Sequence, residues 1–290
     1  MHCPSWKYES YWGNYYYNSL LQCLLHINLL PHGRHKQNTL SEALSQLRQE
    51  LDQDKAVVGS PALVKSAVGR IKPQFGTNQQ QDAAELFLVI SKMLHKELGE
   101  KSELATAVKG YVTSKTICKV CLEEVTERQP FHQLQLAVPT DKRACTLQDC
   151  YESEFRDTIL VDASCGYCGE IGSRTRSQSI ELPNVLIVTL KRFGYNGHTG
   201  TKNSAYIAAP LHVWSPVDGG PTYSLAATLN HKGPLMECGH YVANCLRDKG
   251  YLVDDTRTQP ILQSSVISQD DYILFYVSPP SSTCRCNRLE

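Results

Sequence analysis

Apolar positions in the first hundred residues recur at helical spacing. Leu20, Leu21, Leu24, Leu25, Ile27 and Leu29 predict a helix capped at Asn18 or Ser19, with Cys23 inside it. Thr39 and Glu42 form a capping-box pattern ahead of Ala43, Leu44, Leu47 and Leu51, and Ser60-Pro61 opens a third helix through Val64, Ala67 and Val68. The strongest stripe, Ala83, Leu86, Phe87, Ile90, Met93, Leu94 and Leu98, predicts a helix over about 81–97. Asp82 and Glu85 lie off that stripe, near its start. Beyond about residue 105 the pattern changes to short runs rich in Tyr and β-branched residues, punctuated by Gly, Pro and Asn: 186–193, 206–209, 223–229, 241–246, 250–253 and 272–277. Helices first and sheet second is the α+β arrangement. The tail, 279–290, is expected to be disordered.

At 290 residues the chain is long enough for a sizeable core. Lys plus Arg and Asp plus Glu are equal at 29 each, so no global positive field favours nucleic acid as a partner. Its apolar runs fall well short of the roughly 18 residues that span a bilayer, and its N-terminus lacks the apolar run of a signal peptide. The expectation is a monomer of the cytoplasm and/or nucleus that engages neither nucleic acid nor membrane.

Twelve cysteines in a chain of this length favour metal ligation and plain burial over a disulfide framework. Cys118-x-x-Cys121 and Cys165-x-x-Cys168 form two knuckles whose thiolates suit one tetrahedral structural zinc, with no position left for water. Gly239-His240-Tyr241 opens a strand, and Asp254-Asp255 follows the next turn. A hairpin there would let Asp254 orient the His240 imidazole, although most His–Asp neighbours on hairpins are ordinary hydrogen bonds. Asp82 and Glu85 at a helix start could form a fork for a basic peptide segment, but the residues alone favour simple complementation of the helix dipole.

Taken in order, Gly13-Asn14 with Asn18-Ser19, Gln80-Gln81-Asp82 with Glu85, the two knuckles, Leu190 to Phe193, Gly239-His240-Tyr241, Asp254-Asp255 and Asp271-Tyr272 resemble the ubiquitin-specific protease family of thiol deubiquitinases. The likeness runs from about residue 12 to 278. It implies a papain-like fold shaped as a hand: an N-terminal lead over 1–11, then one domain with a helical thumb over 12–105, zinc-bearing fingers over 106–180 and an antiparallel β palm over 181–278. It also implies His240 as the catalytic histidine, Asp254 as the third triad member, and Asp82, Glu85 and Gly239 as contacts for the basic tail of ubiquitin or a ubiquitin-like protein. Carboxylates suit that tail because guanidinium groups pair with them bidentately.

The resemblance breaks at the nucleophile. Family members carry a reactive Cys between the Gly-Asn and Asn-Ser pairs, where this chain has Tyr15-Tyr16-Tyr17 and is one residue shorter. Aligned from Gly13-Asn14, Tyr16 takes the nucleophile's place; aligned from Asn18-Ser19, Tyr15 does. A phenol with a reference pKa near 10 is a poorer nucleophile than a thiol. The residue expected to stabilise the oxyanion falls on Ser10 or Tyr11. The expected function is therefore ubiquitin binding with lost or impaired hydrolysis. The alternative is an active deubiquitinase using another thiol; Cys23 lies about 10 Å along the helix axis from Tyr16, and Cys238 is close in sequence to His240.

Overall fold

The first helix, α1 (Tyr15–His26), starts three residues earlier than its sequence predicts. Asn18 is therefore inside the helix and not its cap, and its side chain points away from the helix end: Asn18 Nδ2 donates to Asp255 Oδ1 at 3.0 Å. The computed structural model describes residues 15–52, 60–195, 197, 199–236, 238–246, 248–255 and 257–279. The N-terminal lead with Ser10 and Tyr11, the Gly13-Asn14 pair and the tail beyond Pro279 lie outside the described residues.

Helix α2 (Leu40–Asp52) has half the expected capping box. Thr39 Oγ1 accepts from Glu42 N at 3.2 Å, but the Glu42 carboxylate reaches past Thr39 to the backbone N–H of Asn38 at 2.6 Å. Helix α3 (Ser60–Gly69) follows, then α4 (Ala83–Leu98), which Asp82 caps by accepting from Ala84 N at 2.7 Å. The short α5 (Glu103–Ala107) closes the helical layer.

The chain then runs through β1 (Gly110–Cys118), β2 (Glu124–Phe131), β3 (Leu134–Ala137), β4 (Ala144–Thr146), α6 (Leu147–Phe155), β5 (Thr158–Leu160) and β6 (Arg174–Glu181). The remainder comprises β7 (Val185–Lys191), β8 (Phe193–Tyr195), β9 (Gly200–Lys202), β10 (Tyr206–Ala208), β11 (Ser224–Leu235), β12 (Cys238–Leu246), β13 (Gly250–Asp254), β14 (Arg257–Ile261) and β15 (Asp271–Val277). Two sheets dominate. One has seven strands in the order β14-β13-β12-β11-β15-β7-β3, antiparallel except for β3 beside β7; the other has four, β2-β1-β6-β5.

The seven-stranded sheet is covered on both faces, which explains its unbroken apolar runs. Side chains alternate across a strand. Val185, Ile187, Ile273 and Phe275 pack with α1, α2 and α4 in one core, while Leu186, Val188, Leu274 and Tyr276 pack with α6, Trp214 and Tyr223 in another. At about 25 cal/mol per Å² of apolar surface removed from water, these two layers are the main source of stability. The four-stranded sheet is different: among the described residues, 111–130 and 157–179 contribute to neither core. Among the described residues no helix is long and apolar enough to cross a membrane.

Candidate functional site

The helical layer meets the large sheet at the N-terminus of α1. There the Tyr15 ring stands edge-on to the His240 imidazole, with centroids 4.3 Å apart and planes at 73°. His240 lies near the start of β12, and its Nε2 is 2.6 Å from Asp254 Oδ1 at the end of β13. Register explains the pairing. Ala243 faces Val253, so carrying the ladder on leaves residues 240 and 254 as diagonal neighbours on one face. Both side chains are half-buried. Asp255, next in the chain, adopts a left-handed φ of 49° and turns its carboxylate to Asn18 of α1. Burial, ahead of every other influence, raises the Asp255 pKa.

Tyr15 and Tyr16 have different environments. Tyr16 is fully buried, with ring centroids 5.0 Å from Tyr17, 6.3 Å from Phe75 and 6.5 Å from Tyr241. Burial pushes its phenol pKa up, as it does that of Tyr17. Helical rotation of about 100° per residue accounts for this split, one ring facing the imidazole and the next facing the core.

The strand entering His240 is tied to the helical layer by the Gln80 side chain. Gly239 N donates to Gln80 Oε1 at 3.3 Å, and Gln80 Nε2 donates back to the Gly239 carbonyl. Gly239 is required here for lack of space: a Cβ would lie 2.4 Å from the His231 ring and 2.8 Å from the Lys232 carbonyl. His231 is itself fully buried, packed edge-on against Phe193 and Tyr241, and burial lowers its pKa to about 4.

Beside this junction runs an open groove of about 430 Å³, lined by Asp82, Glu85, Leu88, Phe193, Met236 and Tyr272 among others. Asp82 Oδ1 accepts from Tyr272 Oη at 2.9 Å as well as from Ala84 N, and burial raises the Asp82 pKa. Glu85 is exposed, with both carboxylate oxygens 3.2 Å from Gln74 Nε2. The cap at Asp82 is thus the bland helix-start role the sequence allows, and the same carboxylate also edges the groove.

Cys23 and Cys238 lie in different environments. Cys23 is fully buried, its sulfur 3.7 Å from the Thr228 carbonyl, and burial followed by the neighbouring Cys245 holds its thiol protonated. Cys238 is exposed and pairs with Leu235.

The four knuckle cysteines converge at the far end of the four-stranded sheet. Cys118 Sγ is 3.8 Å from Cys168 Sγ, Cys121 Sγ is 3.6 Å from Cys165 Sγ, and all four sulfurs lie within 4.8 Å of one another. Zinc at about 2.3 Å from each sulfur requires tetrahedral edges of roughly 3.8 Å, so the set could hold one zinc ion. Two backbone bonds repeat in both knuckles. Cys118 N donates to Glu123 O and Leu122 N to Cys118 O; Cys165 N donates to Glu170 O and Gly169 N to Cys165 O. The residue after each second cysteine has positive φ, 62° at Leu122 and 78° at Gly169. Backbone N–H groups of Cys168 and Tyr167 lower the Cys165 thiol to about 6, as those of Cys121 and Val120 lower Cys118. Cys121 is pushed the other way, up to about 12, with burial and hydrogen bonds among the cysteine sulfurs raising it, so the convergence of four sulfurs is what suits a metal.

Gln80, Tyr272 and Asn18 carry no periodic signal for these contacts, since their partners lie 159, 190 and 237 positions away. Only the assembled fold reveals them.

The family model of ubiquitin carboxyl-terminal hydrolases matches residues 13–276. Ubiquitin carboxyl-terminal hydrolase 36 of Drosophila erecta is 30% identical over 311 aligned residues, covering 92% of this chain and 28% of the relative. Ubiquitin carboxyl-terminal hydrolase 3 of Homo sapiens is 28% identical over 273 residues, covering 75% of this chain and 52% of the relative. The chain therefore spans about a quarter to a half of the length of these curated relatives. Among solved structures, a SAGA DUB module bound to monoubiquitin superposes with a TM-score of 0.80 at 22% identity, over 97% of this chain and 71% of the other. The same module bound to ubiquitin aldehyde gives 0.76 at 22% identity, over 93% and 68%. The helical layer, the sheet that ends in four cysteines and the β palm are thus the thumb, fingers and palm of a ubiquitin-specific protease, and the chain belongs to the ubiquitin carboxyl-terminal hydrolase family.

Proposed function

We propose that this chain binds ubiquitin, or a modifier with a similar basic tail, and has lost the ability to hydrolyse the bond after it. One observation carries the reading: the group facing His240 at the head of α1 is the ring of Tyr15. His240 and Asp254 would be the base and orienter of a thiol hydrolase whose nucleophile has become a phenol. A phenol titrates well above a thiol, and its ring occupies space that a sulfur would leave to a substrate carbonyl. Binding does not depend on that sulfur, since contacts to the substrate act separately from the nucleophile. The groove beside Asp82 and Glu85 supplies the acidic edge for an arginine-bearing tail, and solved relatives of this fold are bound to monoubiquitin and ubiquitin aldehyde.

The test uses two assays on the same preparation. Calorimetry with free ubiquitin is expected to show saturable binding, weakened at least tenfold by Asp82→Ala combined with Glu85→Ala. Incubation with a ubiquitin bearing a C-terminal electrophile is expected to give no covalent adduct. An adduct abolished by Cys238→Ser would show that an active thiol remains, and absence of binding heat would remove the binding reading.

A further inference from the structure

Of the cysteines that the site and the knuckles leave over, two face each other. Cys145 Sγ lies 3.6 Å from Cys150 Sγ. Helix capping produces this closeness. Thr146 is the N-cap of α6 and forms a full capping box with Asp149: Asp149 N donates to Thr146 Oγ1 at 3.0 Å, and Thr146 N donates to Asp149 Oδ2 at 2.8 Å. Cys145 is therefore the residue before the cap and Cys150 the fourth residue of the helix. Those are the two positions that a hydrophobic staple brings together. An ordinary staple uses aliphatic side chains, which can only pack; this one is built from two thiols, which can also bond.

The surroundings give the two sulfurs different roles. Cys145 is half-buried and reachable from solvent, whereas Cys150 is fully buried beneath it. Burial pushes the Cys150 thiol up to about 12, so it stays protonated while Cys145 meets an oxidant first. The Arg192 guanidinium is within electrostatic reach of both sulfurs, and its Nη2 has no hydrogen-bond partner among the described residues.

We propose that Cys145 and Cys150 form a reversible oxidation site, closed to a disulfide by hydrogen peroxide. Cys145 ionises, its thiolate attacks one oxygen of the peroxide and breaks the O–O bond to become a sulfenic acid, and the expelled hydroxide takes up the proton the thiol released and leaves as water. The Cys150 thiol then attacks that sulfur, the S–S bond forms, and the sulfenic oxygen departs as a second water. Two thiols and one peroxide give one disulfide and two waters, so the sulfurs supply two electrons to the peroxide. Closing 3.6 Å to the roughly 2.05 Å of a disulfide takes a shift shared by two short side chains. The product fastens α6 covalently to β4, which pairs with β10 on the second core of the palm.

The experiment uses the full, zinc-loaded chain. It is exposed to graded hydrogen peroxide, quenched, alkylated and digested with trypsin; Arg143 and Arg156 leave both sulfurs in one peptide, 144–156. That peptide is expected to lose the mass of two hydrogens and both alkylation sites together, and to recover both with dithiothreitol, at doses where the four knuckle cysteines still hold zinc. Cys150→Ser is expected to leave a sulfenic acid at Cys145 that dimedone traps, and Cys145→Ser to leave Cys150 unoxidised. Full alkylation of both residues at a dose that oxidises the exposed Cys238 would overturn the proposal. So would progress of Cys145 to sulfinic acid with Cys150 still alkylated. Because the wild-type peptide map decides the matter alone, a poorly folding variant does not weaken the test.

Discussion

Tyr15 and Tyr16 are neighbours in the chain with opposite environments, and a cysteine at each should behave accordingly. Tyr15→Cys puts a thiol at the start of α1, beside His240 and the positive end of the helix dipole, both of which lower a thiol pKa. Tyr16→Cys puts it among Tyr17, Phe75 and Tyr241, where burial keeps it protonated. We expect Tyr15→Cys to gain a measurable adduct with the ubiquitin electrophile and Tyr16→Cys to gain none; equal labelling would refute the assignment of Tyr15 to the cleft. The phenol oxygens of Tyr16 and Tyr17 are buried and find no hydrogen-bond partner among the described residues. Leaving a polar group in that state costs roughly 1–3 kcal/mol. Tyr16→Phe should therefore stabilise the fold by about 1 kcal/mol in urea denaturation, with ubiquitin affinity unchanged. Lost affinity would mean that the Tyr16 hydroxyl contributes to the site.

The fingers contribute little to either core, and their four cysteines could hold a zinc ion. Strand β2 is exposed along most of its length and β1, β5 and β6 are mostly half-buried, and together they send little into either core, so cysteine knuckles holding a metal would substitute for a hydrophobic layer. Chelating zinc is expected to raise amide exchange across 111–130 and 157–179 by orders of magnitude while β7, β11 and β15 keep their protection; uniform loss of protection would show that the two sheets unfold together. Within the knuckles, Leu122 holds a φ of 62° with its side chain in solvent, where Gly169 fills the matching place. A left-handed conformation costs a non-glycine residue roughly 1–2 kcal/mol, so Leu122→Gly should raise zinc affinity or melting temperature, and a fall in both would contradict the strain. The same contrast explains what the sequence revealed. Helices α2 and α4 announce themselves by apolar period and strands β7 and β15 by unbroken apolar runs, because packing on one face or on both imposed them. Strands β1, β2 and β6 carry no such signal, because only their ends, such as Phe131 and Ile180, reach a core. The capping box of α6 closes with Asp149 in place of the Glu or Gln that marks such a box in a sequence.

Across the molecule, buried ionisable groups of opposite kinds should leave a recognisable pH dependence. Asp271 is almost wholly buried at the start of β15, and desolvation raises its pKa to about 7 despite the bond from Ser268 N and the nearby Arg192. A carboxyl whose folded pKa exceeds its unfolded value near 3.9 binds more protons folded than unfolded between those values. Its contribution to stability is therefore greatest at low pH and is lost as pH rises from about 4 through 7. His231 works the other way. Burial lowers its pKa to about 4, below the unfolded value near 6.5, so its contribution is present above 6.5 and is lost as pH falls toward 4. His132, lowered by burial and by His95, adds to the same slope. Between pH 4 and 6.5 the two trends oppose each other and wild-type stability should be nearly flat. Asp271→Asn removes one of them while keeping an acceptor for Ser268 N. The variant's unfolding free energy in urea should then climb with pH from 4 to 6.5, and with two histidines acting the rise should be on the order of 2–4 kcal/mol. A variant profile as flat as the wild type would mean that Asp271 is not the group offsetting the histidines.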